Sequence, residues 1–172
     1  MSELVWQLDG RLLDVLHSLE VPHERVEAGA YVVRLPSRHR AATLVWLIAR
    51  EQAVAVEAFV LHVIDVADPG QLHRALLIEN LRLRGVHFGL DDVGDVFLTG
   101  SLPHAAVDVA TVDRLLGEVL ALLEERTPAL LRAAYGDRLA ADPTLGAKVR
   151  ADGAGRRPAG TPESSPRRDV RR

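Results

Sequence analysis

The side chains best equipped for chemistry are three aspartates in one short stretch, GLDDVGDVFLTG from Gly89 to Gly100, and seven histidines scattered along the chain. Asp91, Asp92 and Asp95 around Gly94 could ligate a cation through carboxylate oxygens or share a proton as an acid and base pair. A calcium loop of the EF-hand kind needs oxygen ligands at alternate positions, glycine at the sixth and glutamate at the twelfth. Counted from Asp91, the third residue is Val93 and the sixth is Val96, so that spacing fails. Paired carboxylates also need a cleft that shifts their pKa values, and a hairpin tip supplies none. The stretch is therefore expected to be a turn, with Gly94 in the left-handed position and the aspartates bonding nearby amides.

His17, His23, His39, His62, His73, His87 and His104 show neither the i, i+4 spacing nor the alternate-strand spacing of a ligand pair; His62 and His87 are the two that could face each other across strands. Ser101, in TGSLP, lacks the second glycine of a nucleophile elbow and does not lead straight into a helix, so it is expected to be a loop residue. The GVHFGL segment follows a helical stretch instead of joining a strand to a helix, so no phosphate-binding turn is expected. The absence of cysteine removes disulfides, thiolate ligands and a thiol nucleophile. No catalytic residue, metal site or cofactor is predicted.

The elements that carry these residues are clearer. Leu4, Val5, Leu8, Leu12, Leu13, Val15, Leu16 and Leu19 recur at helical spacing, predicting a first helix capped by Ser2. A short extended piece, Glu24 to Glu27, leads through Gly29 into a strand from Tyr31 to Leu35. AATLVWLIAR and AVAVEAFVLHV then form a hairpin of long strands around Glu51 and Gln52. Alternation puts Thr43, Val45 and Leu47 opposite Leu44, Trp46 and Ile48, and Val54, Val56, Ala58 and Val60 opposite Ala55, Glu57, Phe59 and Leu61. Neither face is polar, which predicts a cover on both.

Asp68 and Pro69 open a helix to Arg84 whose stripe is Leu72, Leu76, Leu77 and Leu81. Strands Val86 to Leu90 and Val96 to Leu102 flank the aspartate turn. A last helix starts at Asp108, and Thr127 with Pro128 predicts a kink or a separate short helix through Tyr135. The fold class is thus α+β, an antiparallel sheet of about five strands with helices in the order α-β-β-β(-β)-α-β-β-α.

Residues 1–145 are expected to form the domain and residues 146–172, rich in Gly, Pro, Ser and Arg, a disordered tail. The net charge of −3 is uneven, because Lys148 to Arg172 carries eight basic and three acidic side chains and leaves −8 before it. An acidic domain disfavours nucleic acid as its main ligand. The tail arginines could reach nucleic acid or acidic lipid, but they have no aromatic partners for stacking, and a solubilising tail is preferred. No stretch is apolar enough to cross a bilayer and the start does not read as a signal peptide, so a cytoplasmic location is expected.

The run AFVLHVIDVADPGQLHRALLIENLRLRGVHFGLDDVGDVFLTGSLP, followed by VDRLLGEVL, resembles the actinobacterial branch of the YbjN-domain family, with LLIENLRLRGVHFGLDDVGDVFLTG its most specific part. The resemblance covers Leu4 to Tyr135. It implies a fold like that of type III secretion chaperones, commonly dimeric, and a role as a sensory transduction regulator, with no established catalytic residues. His62 stands where the family pattern has an arginine, and ERTPALLRAAYG replaces a phenylalanine-containing helix end.

The functional expectation is a non-enzymatic, chaperone-like or regulatory binding module. It would be a homodimer with a protein or peptide client, meeting its partner through Trp46, Ile48, Phe59 and Leu61. The alternative is a small-molecule-binding domain or enzyme with a pocket between sheet and helices. A nucleic-acid adaptor acting through the tail is a third class.

Overall fold

Alternating apolar positions pair into one antiparallel sheet in a computed structural model that describes residues 3–66 and 68–151. The elements are α1 (Glu3–Ser18), β1 (His23–Glu27), β2 (Ala30–Leu35), β3 (Thr43–Ala49), β4 (Ala53–Leu61), α2 (Pro69–Asn80), β5 (Val86–Leu90), β6 (Val96–Pro103), a 3-10 turn (His104–Ala106), α3 (Val109–Tyr135), α4 (Arg138–Ala141) and α5 (Leu145–Ala151). The sheet has six strands in the order β1-β2-β3-β4-β6-β5. The strand beyond the expected five is β1: Glu24 pairs with Val32 and Arg25 with Tyr31. Ser2, the expected cap of α1, lies outside the described residues, as does the tail from residue 152.

Both sheet edges are protected, by different means. His23, Glu24, Arg25 and Glu27 make β1 a short, charged edge that discourages pairing with another strand. At β5 the Asn80 side chain, from the end of α2, accepts from the Phe88 N–H at 2.7 Å and donates to the Phe88 carbonyl at 2.9 Å. A side-chain amide thus stands in for a neighbouring strand.

The sheet does not have a helix on each face. All five described helices contribute to a single hydrophobic core with Tyr31, Val33, Val45, Leu47, Val56, Ala58, Val86 and Leu98, whereas the other face holds a separate cluster of Ala30, Trp46 and Ile48 that includes no helical residue. Of the covers expected on both apolar faces, the helical one lies on a single side. The structure stacks α1, α3 and α5 on one side, with α2 packed between α3 and β5.

Local signals explain most helix ends. Asp68 accepts from the Gly70 N–H ahead of Pro69, and Asp108 from the Thr111 N–H at 2.8 Å. Pro128 does not begin a separate helix: α3 runs unbroken for 27 residues through it. The proline forfeits one backbone bond, but Leu123, Leu130, Leu131 and Ala134 remain buried on either side, and that packing holds the helix together. The stripe of α2 is also narrower than expected. Leu72 and Leu76 are buried, while Leu77 and Leu81 point outward. The predicted domain boundary at 145/146 falls inside α5, because Leu145 and Val149 are buried and the Val149 carbonyl accepts from the His62 N–H at 2.8 Å.

Candidate functional site

The helix-free face is built by register. Val32 pairs with Trp46, Trp46 with Glu57, and Glu57 with Thr99, which pairs with His87 at the far edge. The next row joins Ala30, Ile48, Ala55 and Ser101. In these two rows the β2–β3 half is apolar and the β6–β5 half polar. Trp46, Ile48 and Phe59, three of the four expected surface residues, share this face, and they are 8 %, 4 % and 5 % exposed. Phe59 packs edge-on against Phe97, with ring centroids 5.5 Å apart.

Leu61 does not belong with them. The β4–β6 register shifts between Phe59 and Leu61, so that Phe59 opposes Phe97 while Leu61 opposes Val96. The extra residue turns Leu61 into the helix-covered core, where it is fully buried. Arg40 secures the irregularity by donating to the Phe59 and Val60 carbonyls at 3.0 and 2.9 Å. That burial lowers the Arg40 pKa from its ordinary value, with the positive charge of Arg150 adding to the effect.

At the centre of the free face Glu57 is half-buried between Trp46 and Thr99. Loss of water pushes its carboxyl above the usual range, and the charge of Arg50 partly opposes the shift. Glu57, Gly89, Leu90, Asp91, Phe97 and Thr99 outline a depression of about 200 Å³ at its polar end.

The aspartate stretch is a turn, as expected, with Gly94 at φ +91°. The Asp91 carboxylate accepts from the N–H groups of Val93 at 3.1 Å and Asp95 at 2.9 Å. Asp95 does more. It is buried, accepts from the Val63 N–H at 3.0 Å, and takes a 2.6 Å bond from Nδ1 of His62. The His62 ring also lies 4.6 Å from that of Phe59. His62 thus meets an aspartate instead of His87, which sits exposed on the free face opposite Thr99. The adjacent Tyr135 hydroxyl accepts from the Ile64 N–H and donates to the His62 carbonyl, both at 3.0 Å.

A second buried carboxylate escaped the periodicity argument. Asp9, a polar gap in the sequence pattern of α1, is 4 % exposed. It accepts from the Gly29 N–H at 2.9 Å, from the Tyr31 hydroxyl at 2.5 Å and from the Arg25 guanidinium. Burial, followed by the Asp9 carboxylate, drives the Tyr31 hydroxyl far above its ordinary pKa. The group pins α1 to the β1–β2 hairpin. Its only sequence signal is an acidic residue interrupting an apolar helix ahead of a Gly29 with positive φ.

Among the described residues no three His, Asp or Glu side chains converge as metal ligands, and no helix is long and apolar enough to cross a membrane. Ser101 lies on β6, paired with Ala55, and not in a loop.

The family model "YbjN: Putative bacterial sensory transduction regulator" matches residues 9–132. An uncharacterized protein of Mycobacterium tuberculosis is 39 % identical over 106 residues, 62 % of this chain and 57 % of the relative, so the match spans little more than half of that protein. Among solved structures, a chain of the ExsC–ExsE complex superposes with a TM-score of 0.55 at 20 % identity, covering 75 % of this chain and 97 % of that one. A chain of the HopA1–SchA chaperone–effector complex gives 0.53 at 18 % identity, covering 72 % and 94 %. At such identities the likeness is one of fold: α+β, of the type III secretion chaperone kind.

Proposed function

The chain belongs to the YbjN family, and from that premise we propose that it is a non-enzymatic, chaperone-like or regulatory protein-binding module of the cytoplasm, acting in sensory transduction or stress regulation. The observation that carries this reading is the asymmetry of the sheet. One face is sealed by helices, while the other carries, under no helix, Trp46, Ile48 and Phe59 as a close-packed apolar centre with Glu57, Thr99 and His87 at its polar side. An apolar core with a polar rim is the anatomy of a protein interface. The fold neighbours support it, since both were solved as complexes and one is a chaperone with its effector.

The face would take a second copy of the chain or a client segment, burying on the order of 800 Å² per partner. Light scattering on the purified chain tests the dimer. A mass of two chains at micromolar concentration is expected, falling to one chain in Phe97→Lys, which places a charge beside Phe59 without touching the helical core. A single-chain mass in the wild type, with no bound client, defeats the reading.

A ligand-binding or enzymatic domain is the second reading, and the His62–Asp95 pair favours it, because an oriented imidazole is a common general base. The Tyr135 hydroxyl beside it is committed to backbone groups and supplies no ready nucleophile. A metabolite that stabilises the wild type but not His62→Gln would favour this reading over the first.

A further inference from the structure

A second surface, independent of the sheet, lies on α2. The helix turns Leu72 and Leu76 inward, and at 100° per residue Arg74, Leu77, Ile78 and Leu81 occupy the opposite side. Leu77 is 68 % exposed and Leu81, at the cap, 86 %. Two leucines one turn apart and this exposed do nothing for the fold of the single chain. Beside them a groove of about 460 Å³ runs between α2 and α3, lined by Gln71, Arg74, Ala75, Ile78, Glu79 and Ala133.

The charge of this ridge is opposite to that of the domain. Arg74, Arg82 and Arg126 stand on or beside it, against Glu79 and Glu125. Glu79 is already engaged, with Arg82 at 3.5 Å and Arg126 at 3.3 Å, and Glu125 lies 4.0 Å from Arg126. A net positive, leucine-bearing ridge on an acidic domain selects for a partner that is both apolar and acidic.

We propose that the α2 ridge and the α2–α3 groove dock an acidic amphipathic helix from another protein. The stripe is one helix wide, and its Leu77–Leu81 spacing suits ridge-into-groove packing with apolar residues at i, i+3 or i+4. A second copy fits poorly. A two-fold axis between Leu77 and Ile78 would set Arg74 opposite the partner's Leu81 and His73 opposite the partner's Arg82, so that neither arginine meets a carboxylate. A bilayer fits poorly as well, because interfacial helices present a broad apolar face, commonly with aromatics, whereas this ridge is aliphatic and carries Arg74 along its middle.

The test uses the full chain with two designed helical peptides of about 16 residues, one with leucines in a glutamate background and one with the same leucines in a lysine background. Vesicles of phosphatidylglycerol and phosphatidylcholine are a third probe. Anisotropy should show the glutamate peptide binding at least about tenfold tighter than the lysine peptide, with affinity falling as salt rises. Leu81→Ser and Arg74→Glu should each weaken it by about fivefold or more, a loss of about 1 kcal/mol, while circular dichroism stays unchanged because both side chains face solvent. Equal binding of the two peptides, preference for the lysine peptide, or affinity untouched by Leu81→Ser overturns the proposal. So does binding to the vesicles in place of the peptide, or a two-chain mass that Leu81→Ser halves.

Discussion

Trp46 and Leu47 are adjacent in the chain and nearly equally buried, yet they belong to different structures. Leu47 joins the core that runs from Leu12 and Leu16 of α1, through Val33, Val45 and Val56, to Leu116 and Leu123 of α3. Trp46 belongs to a cluster of three buried residues flanked by Val32 and Ala55, sheltered by the sheet's own side chains. Apolar residues on both faces of a strand therefore do not require helices on both faces. One face is closed by helices of the same chain, while on the other Trp46 and Ile48 are buried in a cluster that includes no helical residue.

Truncation of the two neighbours separates these roles most sharply. Leu47→Ala should cost about 2–5 kcal/mol, as for a leucine in a core that cannot collapse around the loss. The cost should be the same at every protein concentration. Trp46→Ala opens a cluster of three residues instead of the main core, so it should lower the stability of the isolated chain less and weaken association more. Chemical denaturation at several concentrations distinguishes them, because only an interface residue links stability to mass action. If Trp46→Ala costs as much as Leu47→Ala, with no concentration dependence, the two faces are equivalent and the interface reading loses its basis.

Elements set by short-range rules were legible in the sequence. Asp68 with Pro69, Asp108 ahead of its helix and Gly94 in its turn each act within three residues, and period-two alternation along β3 gave the faces of Trp46 and Ile48 correctly. What stayed hidden depends on residues far apart in the chain. The irregularity at Val60 exists because β4 must match β6, some 35 residues on, and it moved Leu61 to the other face. The burial of Asp9 depends on Arg25, Gly29 and Tyr31, and that of Asp95 on His62. Neither carboxylate has a partner at a spacing that sequence periodicity tests. A separate helix after Pro128 does not form because tertiary packing outweighs a local preference, and α5 forms because two apolar residues, Leu145 and Val149, suffice to anchor a short helix to an existing core.

Glycines extend the comparison at smaller magnitude. Gly100 stands in the core-facing row between Val56 and Val86, and a Cβ there would lie 2.6 Å from the Gly85 carbonyl oxygen and 2.9 Å from Cγ1 of Val86. Gly100→Ala should therefore destabilise by about 1–3 kcal/mol, since backbone has to move. Gly10, exposed in α1, has nothing within 4 Å of the same position, and Gly10→Ala should stabilise by about 0.5–1 kcal/mol. Thermal unfolding of the two variants checks both signs. A neutral Gly100→Ala would mean that β5 and β6 are less tightly apposed than the register requires.

The finest probe of the free face is Glu57. Desolvation raises the pKa of its carboxyl in the folded chain, so between the unfolded and folded values the native state holds more proton than the unfolded one. Stability contributed by this group is therefore greatest at acid pH and declines as pH rises through the folded value, the reverse of a salt-bridged carboxylate. Glu57→Gln removes the charge that burial penalises. It should raise the melting temperature at pH 7, and the gain should shrink toward zero as the pH falls below the ordinary carboxylate range. A partner that lays apolar surface over Trp46 and Phe59 would bury Glu57 further and enlarge the effect in the complex, unless it brings a cation to meet the carboxylate. Measuring the pH dependence of association in wild type and Glu57→Gln decides between those partners. Tighter binding at low pH that disappears in the variant marks an apolar partner, whereas binding that the variant weakens at neutral pH marks one carrying a positive charge.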